Sequence, residues 1–295
     1  MSSRLDIQKT YKLYIGGAFP RTESGRAYTL SDSKGKFIAN MCRASRKDFR
    51  NAVVSARKAQ SGWSAKTAYN RGQILYRIAE MMEGRKQQLI DELIKEGSTP
   101  KAALKETETA IDRVVYFAGW SDKYQQIFST VNPVASAHFN FSMPEPTGVV
   151  AVIAPQEASL LGFIQAVIPA ITGGNTVVVL ASHTKPLATL TFAEILHSSD
   201  VPGGVINILT GFIDELYAQF ASHMDVNAML CFEKDPEMLK AIQEAASLNV
   251  KAVVHKTVKD WYSEELENPY CILDLLEIKT TWHPVGDGMS MGGGY

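Results

Sequence analysis

The chain has 295 residues, of which 45% are hydrophobic and 21% are charged, an ordinary composition for a globular protein with a sizeable core. Its 30 basic and 31 acidic residues nearly cancel, so we expect neither a nucleic-acid-binding surface nor an anionic-membrane-binding surface. Small molecules or other proteins are the expected partners.

The cysteines and the N-terminal sequence bear on the compartment. The three cysteines are odd in number, lie far apart and form no CxxC pair, which favours a reducing environment. The first residues, MSSRLDIQKTYKLYIGG, lack the apolar core of a signal peptide, and no apolar run is long enough to span a bilayer. We expect a cytoplasmic protein, and no metal site, because the six histidines form no H-x-x-x-H pair.

The first 130 residues are predicted to form a β-hairpin followed by helices. Residues 11–43 contain short strand patterns interrupted by turn residues, and apolar residues recur at helical spacing from Ser45 onward. Two long helices are predicted there, AYNRGQILYRIAEMMEGRKQQLIDELIKEG and PKAALKETETAIDRVVYFAGWSDKYQQI. Residues 131–147 are assigned to a hairpin and oligomerisation region, in which the strand SAHFNFSM is predicted to pair with the run after Gly148.

From Gly148 onward, strands and helices alternate regularly. The predicted strands are 148–154, 176–181, 205–210, 227–232 and 250–255, and the predicted helices are about 159–172, 187–199, 213–223 and 236–247. Continuous β-branched strands that alternate with helices are typical of a parallel sheet covered on both faces. The predicted fold class is therefore α/β, with a Rossmann-like doubly wound parallel sheet over 148–260 and a helical N-terminal elaboration.

The last part of the chain departs from this rhythm. The stretch CILDLLEIKTTWHPVG, within 261–286, is predicted to be one extended strand. The glycine-rich residues 287–295 are predicted to form a mobile tail.

A polar turn follows the first predicted parallel strand, in the stretch GVVAVIAPQEASLLGF. Ligands of such folds usually bind at the carboxyl ends of the strands, which makes Gln156 and Glu157 candidate site residues. The alternative is structural, because a polar side chain before a helix can cap it and a glutamate there complements the helix dipole. No G-x-G-x-x-G or P-loop sequence follows a predicted strand.

The cysteines offer little support for a nucleophile. Cys42 and Cys231 lie in apolar strand patterns, which predict buried structural thiols. Only Cys271, near Pro269 at the start of the last predicted strand, remains a candidate for a reactive thiol.

Several segments resemble the dinucleotide-binding domain of the aldehyde dehydrogenase superfamily in order and spacing: GVVAVIAP, PAITGGNTVVV, PLATLTFAEIL and DVPGGVINILTG. The resemblance covers nearly the whole chain. RKDFRNAVVSARKAQSGW, YNRGQILYRIAE, FAGWSDKY and LLGFIQAVIPAI resemble more closely the second, degenerate half of the tandem family-16 aldehyde dehydrogenases.

The resemblance implies that the catalytic positions are degenerate. The family's oxyanion-stabilising asparagine falls at Glu157, where an ionised carboxylate would repel the developing charge. Its general-base glutamate falls at about His255 or Lys256. No catalytic residue is therefore expected.

The resemblance implies the same for the cofactor. The family's lysine and glutamate that hold the adenine ribose fall at Leu180 and His183, and a glycine of its diphosphate turn falls at Glu233. A carboxylate near a diphosphate is unfavourable. No cofactor is expected, with NAD(P) as the alternative.

The resemblance also implies that a domain is missing from the middle of the chain. After the strand at 250–255 the family continues through a catalytic domain with the nucleophilic cysteine, whereas here a short connection leads to LEIKTTWHPVG, which resembles the family's C-terminal oligomerisation strand. An unpaired strand of this kind would be an exposed edge, which predicts pairing with a partner. The predicted interface residues are Leu275, Leu276, Ile278, Thr280 and Trp282.

Three functions follow from these expectations. The first is a catalytically inactive structural or regulatory subunit, in a homo-oligomer or in a hetero-oligomer with an active aldehyde dehydrogenase subunit. The second is an NAD(P)-dependent aldehyde oxidoreductase that is active only with a catalytic partner. The third is a dinucleotide or small-ligand sensor.

Overall fold

A computed structural model describes residues 8–285, so the tail predicted at 287–295 lies outside the described residues. The N-terminal part holds an antiparallel hairpin of β1 (Ala27–Ser31) and β2 (Phe37–Cys42). Five helices follow: α1 (Arg46–Ser64), α2 (Ala68–Gly84), α3 (Lys86–Lys95), α4 (Pro100–Trp120) and α5 (Tyr124–Phe128). Ser45, Thr67 and Thr99 cap α1, α2 and α4 by accepting a hydrogen bond from a first-turn amide.

Both long helices predicted for this part are wrong in extent, because each is divided in two. The first is interrupted at Arg85, whose φ of −114° and ψ of 18° are not helical, directly after Gly84. Glycine is a poor helix former, and the break lets α3 pack against α7 while α2 packs against α4. The second ends at Trp120, and α5 begins only at Tyr124.

The centre of the molecule is a five-stranded parallel sheet in the order β7-β6-β5-β8-β9. Its strands are β5 (Val149–Ile153), β6 (Thr176–Leu180), β7 (Ile206–Leu209), β8 (Ala228–Cys231) and β9 (Ala252–His255). The helices that connect them are α6 (Leu160–Thr172), α7 (Leu187–His197), α8 (Ile213–Ser222) and α9 (Pro236–Ser247). The predicted α/β fold with a doubly wound parallel sheet is confirmed.

Burial explains why these strands read as continuous apolar runs. Every residue of β5, β6, β7 and β8 is buried, whereas β9, at one edge of the sheet, is only partly covered. The chain leaves the central β5 towards β6 and β7, then returns to add β8 and β9 on the other side. The strand order therefore reverses between β5 and β8, the position where ligands bind in folds of this type.

A second, antiparallel sheet has the order β10-β4-β3 and contains β3 (Thr130–Asn132), β4 (His138–Pro146) and β10 (Leu276–Pro284). The prediction that the strand SAHFNFSM pairs with the run after Gly148 is wrong, because β4 and β5 belong to different sheets. Gly148 turns the chain between them with a φ of +130°, and a side chain there would collide with Asn227.

The C-terminal prediction of one extended strand is also wrong in its first part. Residues Tyr270–Leu273 form a short helix, α10, and β10 begins only at Leu276. Ile272 and Leu275 are buried in the core at 0% and 2% exposure, which explains the helical turn. The division into 1–130, 131–147, 148–260 and 261–286 stays a prediction. Within residues 8–285 no helix combines the length and the apolar character needed to cross a bilayer.

Asn175 joins the two sheets and generates a stability prediction. Its buried side chain accepts a hydrogen bond from Gly148 N at 2.8 Å and donates one to Leu275 O at 2.8 Å. We expect Asn175→Ala to lower the free energy of unfolding by about 1–3 kcal/mol, because it leaves the buried amide of Gly148 without a partner and removes one of the two hydrogen bonds to Leu275 O. Urea denaturation measures this loss.

The matched control is Asn40→Ala, which removes an amide from the exposed hairpin. It should change the free energy of unfolding by no more than about 0.5 kcal/mol. Equal effects of the two substitutions would contradict the joining role of Asn175.

Candidate functional site

The predicted site residues meet at the carboxyl edge of the parallel sheet. Glu157 follows β5, His183 follows β6, Glu233 follows β8, and Lys256 follows β9. The structure thus brings together positions that are far apart in the sequence. Leu180 differs from them, because it is the last residue of β6, is 0% exposed and places an apolar side chain in the core.

Gln156 connects the ends of β5 and β6. Its Nε2 donates to Ala154 O at 2.9 Å, and its Oε1 accepts from His183 N at 2.9 Å. The Nδ1 atom of His183 lies 2.8 Å from the same Oε1, so it donates if that nitrogen carries the ring proton. Both candidate side chains are therefore engaged with each other.

Glu157 is exposed and forms an ion pair with a lysine that follows the neighbouring strand β8. Its Oε1 lies 2.8 Å from Lys234 Nζ, and Lys185 Nζ donates to its backbone carbonyl at 3.0 Å. Partial burial acts to raise the pKa of Glu157, but the hydrogen bond and charge of Lys234, together with hydrogen bonds from its own backbone amide and from Trp261, outweigh it, so the pKa is lowered. The carboxylate is ionised at neutral pH and would repel a developing oxyanion.

The alternative that Gln156 or Glu157 caps the following helix is not supported by the contacts. The residue before α6, Ser159, makes no side-chain capping bond. The first-turn amide of Leu161 instead donates to Glu106 Oε1 at 3.1 Å. A carboxylate from α4 therefore compensates the N-terminus of α6.

Glu233 turns its carboxylate back onto its own loop. Its Oε1 accepts from Lys234 N at 2.7 Å and from Asp235 N at 2.9 Å. Its carbonyl oxygen lies 2.8 Å from His255 Nε2, which must donate because a carbonyl only accepts. The backbone amides before α9 are thus already bound to an anionic group of the chain.

The segment from Lys256 to Leu275, which we call the connecting segment, covers this end of the sheet. Lys256 forms an ion pair with Asp274, and the Trp261 ring lies 5.7 Å from the Phe232 ring. A cavity of about 20 Å³ remains between the segment, α6 and the ends of β8 and β9, lined in part by Gln165 and Cys271. That volume is the size of a single water molecule.

Arg113 holds the connecting segment to the helices and was missed in the sequence. Its side chain is 1% exposed and donates to Gln165 Oε1 and to Trp261 O, while Glu267 Oε1 lies 3.5 Å from its Nε. Burial lowers the pKa of Arg113, partly offset by Glu267. The sequence signal that could have revealed it is an arginine among the buried apolar residues of α4.

Lys234 was missed as well. Only the neighbouring Glu233 was singled out, although Lys234 follows the same strand and forms the ion pair with Glu157. Because β5 and β8 are adjacent in the sheet, the opposite charges that follow these two strands could have predicted the ion pair.

The cysteines lie where the sequence placed them. Cys42 and Cys231 are buried, and burial raises the pKa of Cys231 to about 11. Cys271 is partly exposed, and burial raises its pKa too, although Lys256 Nζ lies 4.0 Å from its sulfur. A thiol with a raised pKa is poorly ionised and therefore a weak nucleophile at neutral pH.

The predicted interface residues divide between the core and the second sheet. Ile278, Thr280 and Trp282 alternate along β10 and so share one face, with Ile278 53% and Trp282 57% exposed. Leu276 begins the strand. Leu275 differs from the prediction, because it precedes β10 and its side chain packs in the core at 2% exposure.

A partly buried carboxyl group lies beside the polar turn. Glu96 accepts hydrogen bonds from Ser159 Oγ at 2.6 Å and from Leu187 N, so it links the beginnings of α6 and α7. Burial raises the pKa of Glu96 to about 8 despite these hydrogen bonds. Among the described residues, no group of His, Cys, Asp and Glu side chains is arranged to hold a metal ion.

Comparison with known proteins identifies the family. Residues 20–257 match the model of the aldehyde dehydrogenase family. The chain is 32% identical to mouse (Mus musculus) cytosolic 10-formyltetrahydrofolate dehydrogenase, over 85% of the chain and 28% of that protein. It is also 32% identical to human (Homo sapiens) retinal dehydrogenase 2, over 84% of the chain and 48% of that protein. The chain thus spans half or less of the length of these relatives.

Solved structures agree with the sequence comparison. PnpE in complex with nicotinamide adenine dinucleotide superposes with a TM-score of 0.80 at 27% identity, over 84% of this chain and 51% of that one. A variant of aldehyde dehydrogenase C from Pseudomonas syringae, in complex with NAD⁺ and octanal, gives 0.78 at 28% identity, over 87% and 52%. The predicted family is confirmed, and the closer resemblance to the tandem family-16 proteins stays a prediction.

The raised pKa of Glu96 predicts a pH-dependent stability. Its pKa of about 8 in the folded chain exceeds the ordinary value of 4.5, so the folded state binds the proton more tightly. The resulting stabilisation is complete below pH 4.5 and is lost as the pH rises through about 8. We expect the unfolding free energy of the native chain to fall over this range relative to that of Glu96→Gln.

Urea denaturation of both proteins at several pH values measures this difference. Glu244→Gln, at an exposed position, is the control and should follow the native chain across the range. A constant difference between the native chain and Glu96→Gln would contradict the prediction.

Proposed function

Because the chain belongs to the aldehyde dehydrogenase family, we propose that it is a catalytically inactive member that serves as a structural or regulatory subunit. One observation carries the proposal. The connecting segment leads from β9 directly into β10 and covers the carboxyl edge of the sheet, and the family match ends at residue 257, just after β9.

The charges at the sheet edge support an inactive site. Glu157 stands where the resemblance places an oxyanion-stabilising amide, and its ion pair with Lys234 keeps it ionised. At about the general-base position, Lys256 is bound to Asp274 and His255 to the carbonyl of Glu233. None of these groups is arranged to donate to an oxyanion and to accept a proton from a nucleophile.

The thiols support the same conclusion. Cys42 and Cys231 are buried, and the raised pKa of Cys271 keeps that thiol protonated at neutral pH. The described residues therefore offer no activated cysteine for covalent attack on an aldehyde.

The residues at the nucleotide positions do not fit NAD(P) bound in the manner of the family. A buried Leu180 replaces a ribose ligand and has no polar group to offer. His183 is engaged with Gln156, and the Glu233 carboxylate occupies the amides before α9, where a diphosphate would need them. Repulsion between the Glu233 carboxylate and the diphosphate of the dinucleotide would weaken binding.

The exposed sheet β10-β4-β3 supports the subunit role. Residues Glu277 to Pro284 of β10 are all exposed, including the large apolar side chains of Ile278 and Trp282. Exposed apolar strands of this length are typical of association surfaces and are aggregation hazards when unpaired. We infer that β10 is the contact through which the subunit associates.

The first prediction concerns the cofactor. We expect neither NAD nor NADP to raise the melting temperature of the purified protein, because a ligand stabilises a protein only if it binds the folded state. The same preparation should show no oxidation of aliphatic or aromatic aldehydes linked to NAD(P) reduction. A thermal shift at millimolar dinucleotide would favour a sensor, and aldehyde oxidation above background would contradict the proposal.

The second prediction concerns association. We expect Ile278→Asp to convert the native assembly to monomers, because it places a charge within the exposed strand. Native mass spectrometry of the full chain measures the change. Leu248→Asp is the matched control, since Leu248 is 84% exposed but lies in the loop after α9, and it should leave the assembly intact. A monodisperse monomer before and after substitution would contradict the subunit role.

A further inference from the structure

The free edge of β10 is regular enough to define how it pairs. β10 is a strand of nine residues that pairs with β4 on one side, and no strand among residues 8–285 pairs with its other side. Its partner-facing and outward-facing backbone groups alternate, as in any antiparallel ladder. The orientation of this alternation decides which groups are available at the free edge.

Two prolines of β4 settle the orientation. Pro146 lies opposite Leu276 and Pro144 opposite Ile278. Proline has no N–H, so these pairs cannot exchange two hydrogen bonds. The odd-numbered residues of β10 therefore bond to β4, consistent with the bond from Val285 N to Ala137 O at 3.0 Å. The N–H and C=O groups of Leu276, Ile278, Thr280 and Trp282 point to the free edge.

We propose that β10 pairs antiparallel with β10 of a second copy of this chain, about a two-fold axis at Thr280. The proposal rests on the subunit role proposed above and names its partner. It joins the two small sheets into one continuous sheet in the order β3-β4-β10-β10-β4-β3. A two-fold contact of this kind uses the same surface on both copies and closes without exposing a further edge.

The register follows from the backbone. A two-fold axis at an even-numbered residue makes outward-facing groups meet outward-facing groups, and an axis at Thr280 sets all nine residues of the strand opposite their counterparts. Pro284 has no N–H, so the end pairs of Leu276 and Pro284 each keep one hydrogen bond, while the pairs of Ile278 with Trp282 and of Thr280 with itself keep two. Axes at Ile278 or Trp282 satisfy the first condition but leave part of the strand unpaired. The axis at Thr280 is therefore the register with the longest ladder.

The side chains fit this register on both faces. Ile278 lies opposite Trp282 of the second copy, so the two large exposed side chains of the strand cover each other twice. On the other face, Glu277 lies opposite His283 of the second copy. Lys279 lies opposite Thr281 of the second copy and already has Glu145 at 3.5 Å in its own chain.

The self-complementary pattern favours a second copy over a different protein. The apolar pair, Ile278 and Trp282, and the polar pair, Glu277 and His283, each have both members in β10. A strand that binds an unrelated partner would not need both members of each pair. Aromatic and β-branched side chains that face each other across strands are a main source of sheet stability.

The test is a charge exchange across the two-fold axis. Ile278→Glu alone and Trp282→Lys alone should each reduce the native dimer to monomers, because each sets a charge against an apolar side chain. The double substitution sets opposite charges across the axis and should restore the dimer. Both positions lie in one strand about 13 Å apart, so the rescue cannot arise within a chain. Native mass spectrometry and light scattering of the full chain give the masses.

The control pairs Ile278→Glu with Thr281→Lys, whose side chain lies on the other face of β10. This combination should stay monomeric. A cooperative thermal transition shows that each variant folds, although the monomeric variants should melt below the native dimer because association stabilises the folded state.

Other outcomes overturn the inference. A native chain that is monomeric, a dimer that survives the single substitutions, or a double variant that stays monomeric would each contradict this register. If the native assembly contains a different polypeptide and is lost with Ile278→Asp, the pairing with a second copy is contradicted. The proposed subunit role is then still supported. Aldehyde oxidation by a dimer that passes the exchange test would instead overturn only the proposed inactivity.

Discussion

Four of the five strands of the parallel sheet have no residue in contact with water, and this constraint governs what surrounds them. With β5 to β8 buried along their whole length, the polar groups at the strand ends must find partners within the chain. The connecting segment and the turns after the strands meet this requirement. Gln156 bonds to His183, Glu157 to Lys234, and Lys256 to Asp274, so these polar side chains at the strand ends have partners within the chain.

These contacts also explain why the sequence at this edge is rich in charged and polar residues. Carboxylates, lysines and histidines at the ends of adjacent strands usually indicate a polar substrate. Here Glu157 pairs with Lys234 and Lys256 with Asp274, while the Glu233 carboxylate is bound to backbone amides. These contacts stabilise the turns that follow the strands.

The parts of the fold that depend on local pattern were predictable from the sequence. The parallel strands and their helices were predicted within one or two residues at most ends, because buried strands need unbroken β-branched runs. The break at Arg85, the helix at Tyr270–Leu273 and the pairing of β4 with β10 were not predictable, since they depend on packing between distant segments. The same holds for the site, where Glu157 was singled out but its partner Lys234 was not.

The position of Leu275 has a further consequence for association. Its carbonyl accepts hydrogen bonds from Thr147 Oγ1 and Asn175 Nδ2, both at 2.8 Å, and its side chain is part of the core. The start of β10 is thus fixed to the interior before any partner arrives. Because the strand is already ordered in the free chain, association costs little conformational entropy. The strand can therefore bind without a change of its backbone conformation. Assembly and disassembly should then proceed between folded chains, without partial unfolding of either one.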